Sequence, residues 1–338
     1  MRQRQGAAAA EARTIDVLTE IATRFYLGEE SQSEIARDLG LDPSTVSRHL
    51  KRARFEGIVH IEIRPPRRAD VDLGREVADR FGLARVVVAP TDPDLDASLG
   101  PVAAEFVDGL LRSGLRIGIS WGRTLAAVVR HVRPGVVGGL GIAQLAGGVH
   151  DPMPGIQGHE LVRRLAELFP GSRVHYVLAP AIVGADDARR VLLADRTVKR
   201  ALEAARRSEV ALVGVGEMDE GSTLYMGGHV PREDWARLID AGAVGNVNTR
   251  FFDATGKPVR LLDRRTIAIS WDELRAIPTV VAVAAGVQRA DAIRGALATR
   301  SIDILVTDGA TAEAMLDGAG PTRRARIATR PRAPRDEE

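Results

Sequence analysis

The 338 residues contain no cysteine. That removes disulfide scaffolds, thiolate zinc sites, iron–sulfur clusters and thiol nucleophiles together, and it suits a reducing cytoplasm. No segment approaches the roughly 20 uninterrupted apolar residues that a bilayer-spanning helix needs, so no membrane partner is expected. The start, Met1-Arg2-Gln3-Arg4-Gln5-Gly6 and four alanines, runs into Glu11, Arg13 and Asp16 instead of an apolar stretch with a cleavage site, which argues against secretion. Lysine is nearly missing. Only Lys51, Lys199 and Lys257 occur, and neither of the last two falls in a candidate loop, so Schiff-base catalysis has no support. The seven histidines show no HExxH-like spacing, and no metal site is expected. Walker and Gly-x-Gly-x-x-Gly spacings are absent too, so no cofactor is expected.

What is present fits an ordinary globular protein, 45% hydrophobic, 27% charged and 4% aromatic, and at about 100–200 residues per domain its length implies two domains. Net charge is only +2, but its distribution is uneven. From Glu20 to Asp42 there are two basic and six acidic side chains, a balance of −4; from Ser44 to Arg68 there are seven basic and two acidic, a balance of +5. A cationic surface therefore adjoins an anionic one.

Local patterns give that asymmetry a structure. Ile15, Leu18, Ile21, Ala22 and Phe25 recur at steps of three and four, predicting a helix over 14–28. Ser31-Gln32-Ser33-Glu34 has capping-box spacing and opens a second helix carrying Ile35, Ala36 and Leu39 inward to Gly40. Asp42 as N-cap and Pro43 at the first position start a third, running to about Arg54. The pair is a helix-turn-helix. Val46, Leu50 and Ala53 must face its core, which leaves Ser44, Thr45, Ser47, Arg48, Lys51 and Arg52 outward. The alternation Ile58-Val59-His60-Ile61-Glu62-Ile63 predicts a strand, the wing of a winged helix, and Arg64-Pro65-Pro66-Arg67-Arg68 reads as a basic connector. Domain 1–64, linker 65–68, domain 69–320 and a disordered tail 321–338 follow.

Beyond residue 69 the texture is α/β. Apolar runs at 85–88, 115–119, 142–145, 174–178, 210–213, 280–283 and 302–306 alternate with helical patterns at 97–113, 123–132, 157–169, 187–208, 288–299 and 310–317. This predicts a doubly wound, mostly parallel sheet covered on both faces. Ligands of such sheets sit at the carboxyl ends of strands. Glycine-bearing turns fall there at Ser120-Trp121-Gly122-Arg123-Thr124, Ala146-Gly147-Gly148, Gly214-Val215-Gly216-Glu217 and Ala285-Gly286-Val287-Gln288-Arg289, the first and last with a guanidinium suited to an anion. Gly118-Ile119-Ser120-Trp121-Gly122 also has the letters of a nucleophile elbow. A hydrolase would need a histidine and an acid, and spacing does not choose among His229, Asp253 and Asp308. No catalytic residue is assigned.

Tyr26-Leu27-Gly28, Ser31-Gln32-Ser33-Glu34-Ile35-Ala36, Leu39-Gly40-Leu41, Ser44-Thr45-Val46-Ser47-Arg48 and Gly57-Ile58-Val59 recur in order with motifs further along. These are Gly245-Asn246 before Arg250-Phe251-Phe252-Asp253, Gly256-Lys257-Pro258-Val259, and Ile302-Asp303-Ile304-Leu305-Val306-Thr307-Asp308. Together they resemble the SorC family of bacterial sugar-responsive transcriptional regulators, over about residues 14–318. The resemblance implies an effector domain similar in fold to glucosamine-6-phosphate deaminase and ribose-5-phosphate isomerase, a double-stranded DNA operator, a sugar or phosphosugar effector, and a homo-oligomer, generally a tetramer. It implies that Gly122, Arg123 and Thr124 form the phosphate or sugar-end loop and that Gln157, Asn246 and Arg289 help surround the ligand. Ser120, Gly147, Gly148, Gly216 and Asp308 complete the expected effector set. Gln32, Ser33, Ser44, Thr45, Ser47, Arg48, Lys51, Arg52 and Arg54 form the expected DNA-binding set. The chain departs from the family in having Gly309 and Asn246 where acidic residues are frequent, and Arg289 where lysine is. Loss of two carboxylates disfavours the alternative reading, a phosphosugar isomerase or deaminase, which would want a general base.

Overall fold

Apolar residues at helical spacing build the first unit from α1 (Arg2–Tyr26), α2 (Gln32–Leu39) and α3 (Pro43–Phe55). The computed structural model describes residues 2–28, 30–59, 70–135, 137–149 and 155–318, with side chains from Thr14 onward. The chain divides into Met1–Pro66 and Arg67–Glu338. In the first unit Leu18, Ile21, Ala22, Ile35, Ala36, Val46, Leu50 and Ala53 form one buried cluster, with Phe25 and Leu39 packed against it. Ile15, expected in the stripe, is 46% exposed. α1 also begins well before residue 14, because the alanines ahead of it carry the highest helix propensity.

The capping box forms: the Glu34 amide donates to Ser31 Oγ at 3.3 Å and the Ser31 amide to Glu34 Oε2 at 2.8 Å. The Ser31 hydroxyl, which donates to Glu34 Oε2 at 2.6 Å, and then the Ser31 amide hold the Glu34 carboxyl below its usual range. Gly40 closes α2 at φ 65°, left-handed as a tight exit requires. Asp42 caps α3 differently from the expectation. Its side chain makes no cap bond, and its carbonyl accepts from Thr45 and Val46 at 2.8 and 3.1 Å. Ile58 and Val59 pack against the core. The remainder of the expected wing strand, the basic connector 64–68 and the tail from 321 lie outside the described residues.

The second unit contains strands β1 (Arg85–Ala89), β2 (Arg116–Ile119), β3 (Gly141–Gln144), β4 (Arg173–His175), β5 (Val210–Gly214), β6 (Gly216–Glu217), β7 (Ala243–Val247), β8 (Arg250–Asp253), β9 (Pro258–Val259), β10 (Thr279–Val283) and β11 (Ile304–Asp308). Its helices are α4 (Val71–Phe81), α5 (Leu99–Asp108), α6 (Arg123–His131), α7 (Gly158–Leu168), α8 (Asp186–Ala194), α9 (Arg196–Arg206), α10 (Thr223–Met226), α11 (Arg232–Asp240), α12 (Trp271–Ala276), α13 (Ala290–Ala298) and α14 (Gly309–Asp317). Seven strands make a wholly parallel sheet in the order β1-β11-β10-β5-β2-β3-β4. They correspond to the seven apolar runs. In β1, β3, β5, β10 and β11 alternate residues feed opposite cores: Val280 and Ala282 of β10 pack with α9, α13 and α14, while Val281 and Val283 pack with α5, α6 and α7. Burial on both faces is why these strands read as continuous apolar runs, whereas the edge strand β4 is largely exposed.

Two features depart from the expected pattern. The helix expected at 187–208 is split into α8 and α9, because the Asp195 carboxylate accepts from the Thr197 and Val198 amides at 2.8 and 3.1 Å and starts a new helix. A second, antiparallel sheet in the order β6-β7-β8-β9 was not anticipated. Its β7–β8 hairpin turns through Asn248 and Thr249 at φ 53° and 61°, the paired positive values of a two-residue type I′ loop.

Candidate functional site

In the larger sheet β2, β3 and β4 progress one way and β5, β10 and β11 the other. The order therefore reverses between β2 and β5, where open α/β sheets leave a crevice at their carboxyl ends. A cleft opens there. It is lined by Ser120, Trp121, Gly122, Arg123 and Thr124 after β2, by Gly214, Val215, Gly216 and Glu217 after β5, and by Ser222, Thr223, Leu224, Asn246, Asn248 and Arg289.

Three devices shape it. Gly122, at φ 123°, leads into α6 without a side-chain cap, and its own amide donates to the Ile156 carbonyl at 3.0 Å. The first-turn amides of α6 thus remain for an anion, beside Thr124 and the exposed Arg123, which makes no ion pair among the described residues. The hairpin tip is pinned to the sheet edge: Ser120 Oγ donates to Asn248 Oδ1, and Asn248 Nδ2 to the Leu145 carbonyl, both at 3.1 Å. Opposite, Arg289 donates through Nη2 to Glu217 Oε1 at 2.9 Å and through Nη1 to the Ala285 carbonyl at 3.1 Å.

Of the expected effector residues, Ser120, Gly122, Arg123, Thr124, Gly216, Asn246 and Arg289 come together in this cleft. Gly147, Gly148, Gln157 and Asp308 stand outside its lining. Gly147 is a packing glycine, since a Cβ there would lie 2.5 Å from the Pro180 carbonyl oxygen and 2.6 Å from that of Ala179. Gly148 donates its amide to Ala179 O at 2.8 Å. Gln157 precedes α7 without capping it. Asp308 caps α14 through the Thr311 amide at 2.8 Å and accepts from the Gly286 amide at 3.2 Å, which anchors the loop carrying Arg289. Replacing Gly147 by Ala is expected to destabilise the second unit by about 1–3 kcal/mol, the usual cost of overpacking; a melt within 1 °C of the parent would contradict the packing role.

Ser222, Thr223, Leu224 and Asn248 line the cleft without having been expected there, and Glu217, read only as part of a glycine-bearing turn, had no role assigned. Asn248 is a residue type that tolerates positive φ, but it precedes the β-branched Thr249, which rarely does. Glu217 lies on a strand too short to show alternation. Its carboxylate also corrects the view of Arg289 as an uncommitted anion contact. Asn246 sits in β7. Among the described lining residues Glu217 is the one carboxylate, and it is ion-paired; Ser120, the elbow serine, has its hydroxyl bonded to an amide and no histidine lines the cleft.

On the first unit, α3 turns Val46, Leu50 and Ala53 inward and leaves Ser44, Arg48, Lys51, Arg52 and Arg54 exposed, with Thr45 and Ser47 half-buried. On α2, Ser33 is exposed and Gln32 half-buried. Arg48 Nη2 donates to Thr45 Oγ1 at 3.0 Å, and Arg52 Nε to Glu56 Oε1 at 2.6 Å. Hydroxyls and cations share this face, as duplex recognition requires.

Residues 66–317 match the family described as "Putative sugar-binding domain", and residues 23–60 match the bacterial regulatory proteins of the arsR family. The chain is 31% identical to the deoxyribonucleoside regulator of Bacillus subtilis over 305 residues, 88% of this chain and 96% of that one. It is 30% identical to the transcriptional regulator LsrR of Klebsiella pneumoniae over 309 residues, 89% of this chain and 93% of that one. Its structure matches the full-length sorbitol operon regulator SorC of Klebsiella pneumoniae with a TM-score of 0.68 at 29% identity, over 89% of this chain and 98% of that one. Among the described residues no helix is long and apolar enough to cross a membrane.

Proposed function

The chain belongs to the SorC family of sugar-binding transcriptional regulators, and from that premise we propose that it grips an operator in duplex DNA through the α2–α3 face and releases or tightens that grip when a sugar or phosphosugar fills the β2–β5 cleft. The carrying observation is the cleft itself: an uncapped helix start, the hydroxyls of Ser120, Thr124, Ser222 and Thr223, Arg123 and a guanidinium–carboxylate pair converge at the switch point of the sheet. An anion suits the α6 end. Arg48, with Ser44, Thr45 and Ser47, reads base edges, while Lys51, Arg52 and Arg54 hold phosphates and Gln32 and Ser33 support them from α2. The effector governs the protein only through unequal affinity for two arrangements of the DNA-binding heads in a homo-oligomer, as a tetramer. It acts in the cytoplasm on an operon of carbohydrate metabolism, a reading supported by the relatives named for deoxyribonucleosides and sorbitol.

Thermal-shift screening of the full chain against sugars and their phosphates tests the cleft, because a ligand that binds the folded form alone raises the melting temperature. At least one sugar phosphate is expected to do so. Arg123→Ala is then expected to weaken that compound about tenfold or more, as for loss of a charge-assisted hydrogen bond. A flat response across the whole panel defeats the proposal.

A further inference from the structure

Gly216 and Glu217 both line the cleft. A Cβ at residue 216 would lie 2.5 Å from Asn246 Nδ2, so glycine there leaves room for the Asn246 side chain beside β6, whose next residue meets Arg289. Both partners of the resulting ion pair are largely withdrawn from water, at 14% and 11% side-chain exposure. The pair is nonetheless incomplete. Glu217 Oε2 and Arg289 Nε are buried without a partner among the described residues, and so is Trp121 Nε1 on the facing β2 loop. One strong acceptor and two donors thus belong to residues that line a single cleft, each lacking a bond that buried polar groups ordinarily have. A sugar hydroxyl both donates and accepts, so adjacent hydroxyls can satisfy all three.

We propose that Glu217 selects the effector: its Oε2 accepts a hydroxyl, and by cancelling the charge of Arg289 it reserves this end of the cleft for an uncharged, hydroxyl-bearing part of the ligand. This rests on the reading of the cleft as the effector site. An anionic group is left with the α6 start, which adjoins the other side of the β5 turn, where a Cβ on Gly214 would lie 3.5 Å from Thr124 Oγ1. The effector class is therefore a neutral sugar or a sugar monophosphate. A sugar charged at both ends would set a second anion against the Glu217 carboxylate, and such repulsion discriminates as effectively as attraction.

Calorimetric titration of the full chain with two matched pairs tests this: fructose 6-phosphate against fructose 1,6-bisphosphate, and ribulose 5-phosphate against ribulose 1,5-bisphosphate. The parent is expected to favour the monophosphate of a pair by about tenfold or more. Glu217→Gln, which keeps the shape and releases the charge of Arg289, is expected to erase or invert that preference. Arg289→Gln, which leaves the carboxylate uncompensated, is expected to widen it, and it decides the matter alone if the first variant does not melt cooperatively. A parent that prefers a bisphosphate, or variants that weaken both members of a pair equally, overturn the role of Glu217 while leaving the cleft a sugar site. Failure of all four compounds, and of sorbitol and erythritol, to bind the parent removes the cleft reading itself and this inference with it.

Discussion

Arg250→Met is expected to destabilise the larger unit by about 3–5 kcal/mol, the range seen when one partner of a buried ion pair is removed. Arg250 is 6% exposed on β8. Burial pushes its guanidinium below the usual arginine value, and the neighbouring Asp263 carboxylate offsets part of that. It donates to the carbonyls of Ile269 at 2.9 Å and Ala268 at 3.0 Å, and to Asp263 Oδ1 at 3.0 Å. Methionine fills similar volume but leaves two carbonyls and a carboxylate without their donor. The clamp holds more than itself: the same segment pairs Ala268 with Ala146 and accepts the Gly147 amide at Ile267 O, 2.8 Å. All three tryptophans lie in this unit, so urea titration followed by tryptophan fluorescence reports its unfolding alone. Arg250→Lys, which keeps the charge without the fork, should fall between parent and Met. A Met variant within about 1 kcal/mol of the parent would mean that water replaces the lost donors and the clamp is dispensable.

Much of the architecture was legible because it follows from periodicity. The inner parallel strands announce themselves by apolar runs, since both their faces are covered, while the exposed edge strand β4 carries a run broken by His175, and α2 announces itself by a capping box that forms as spaced. What stayed hidden is set by contacts distant in sequence. The small antiparallel sheet consists of strands as short as Gly216–Glu217 and Pro258–Val259, in which period two has no room to show. The break between α8 and α9 depends on one aspartate bonding two amides, a local competition that hydrophobic pattern does not register.

The cleft divides in the same way. Ser120, Gly122, Arg123 and Thr124 were found because a strand-to-helix turn is contiguous in sequence. Arg289 was found, but its pairing was not, because Glu217 is 72 residues away on β6, a strand placed by its antiparallel pairing with β7. The glycines were ambiguous for a plain reason. A glycine that admits a ligand and one that admits another backbone look alike in sequence, and Gly147 proves to be the second kind.

Arg48→Ala is expected to lower affinity for the protein's own upstream region roughly 5- to 150-fold, the equivalent of about 1–3 kcal/mol for one base contact, with little change on an unrelated duplex. Arg48 is exposed on α3 while Val46, Leu50 and Ala53 hold that helix from the other side, so the substitution should leave the fold and its melting temperature alone. Its bond to Thr45 Oγ1 fixes the guanidinium before DNA arrives and reduces the side-chain entropy lost on binding. Lys51→Ala should act differently. A phosphate contact carries no sequence information, so binding to specific and unrelated duplexes should weaken together, and the slope of log affinity against log salt should become shallower by about one. Arg52, already paired with Glu56, should matter less than Lys51, because its charge is partly spent before the phosphate is met. Anisotropy titrations at several salt concentrations separate these outcomes. If Arg48→Ala and Lys51→Ala prove indistinguishable on both duplexes, α3 is an electrostatic anchor, and the reading of sequence must lie on another element.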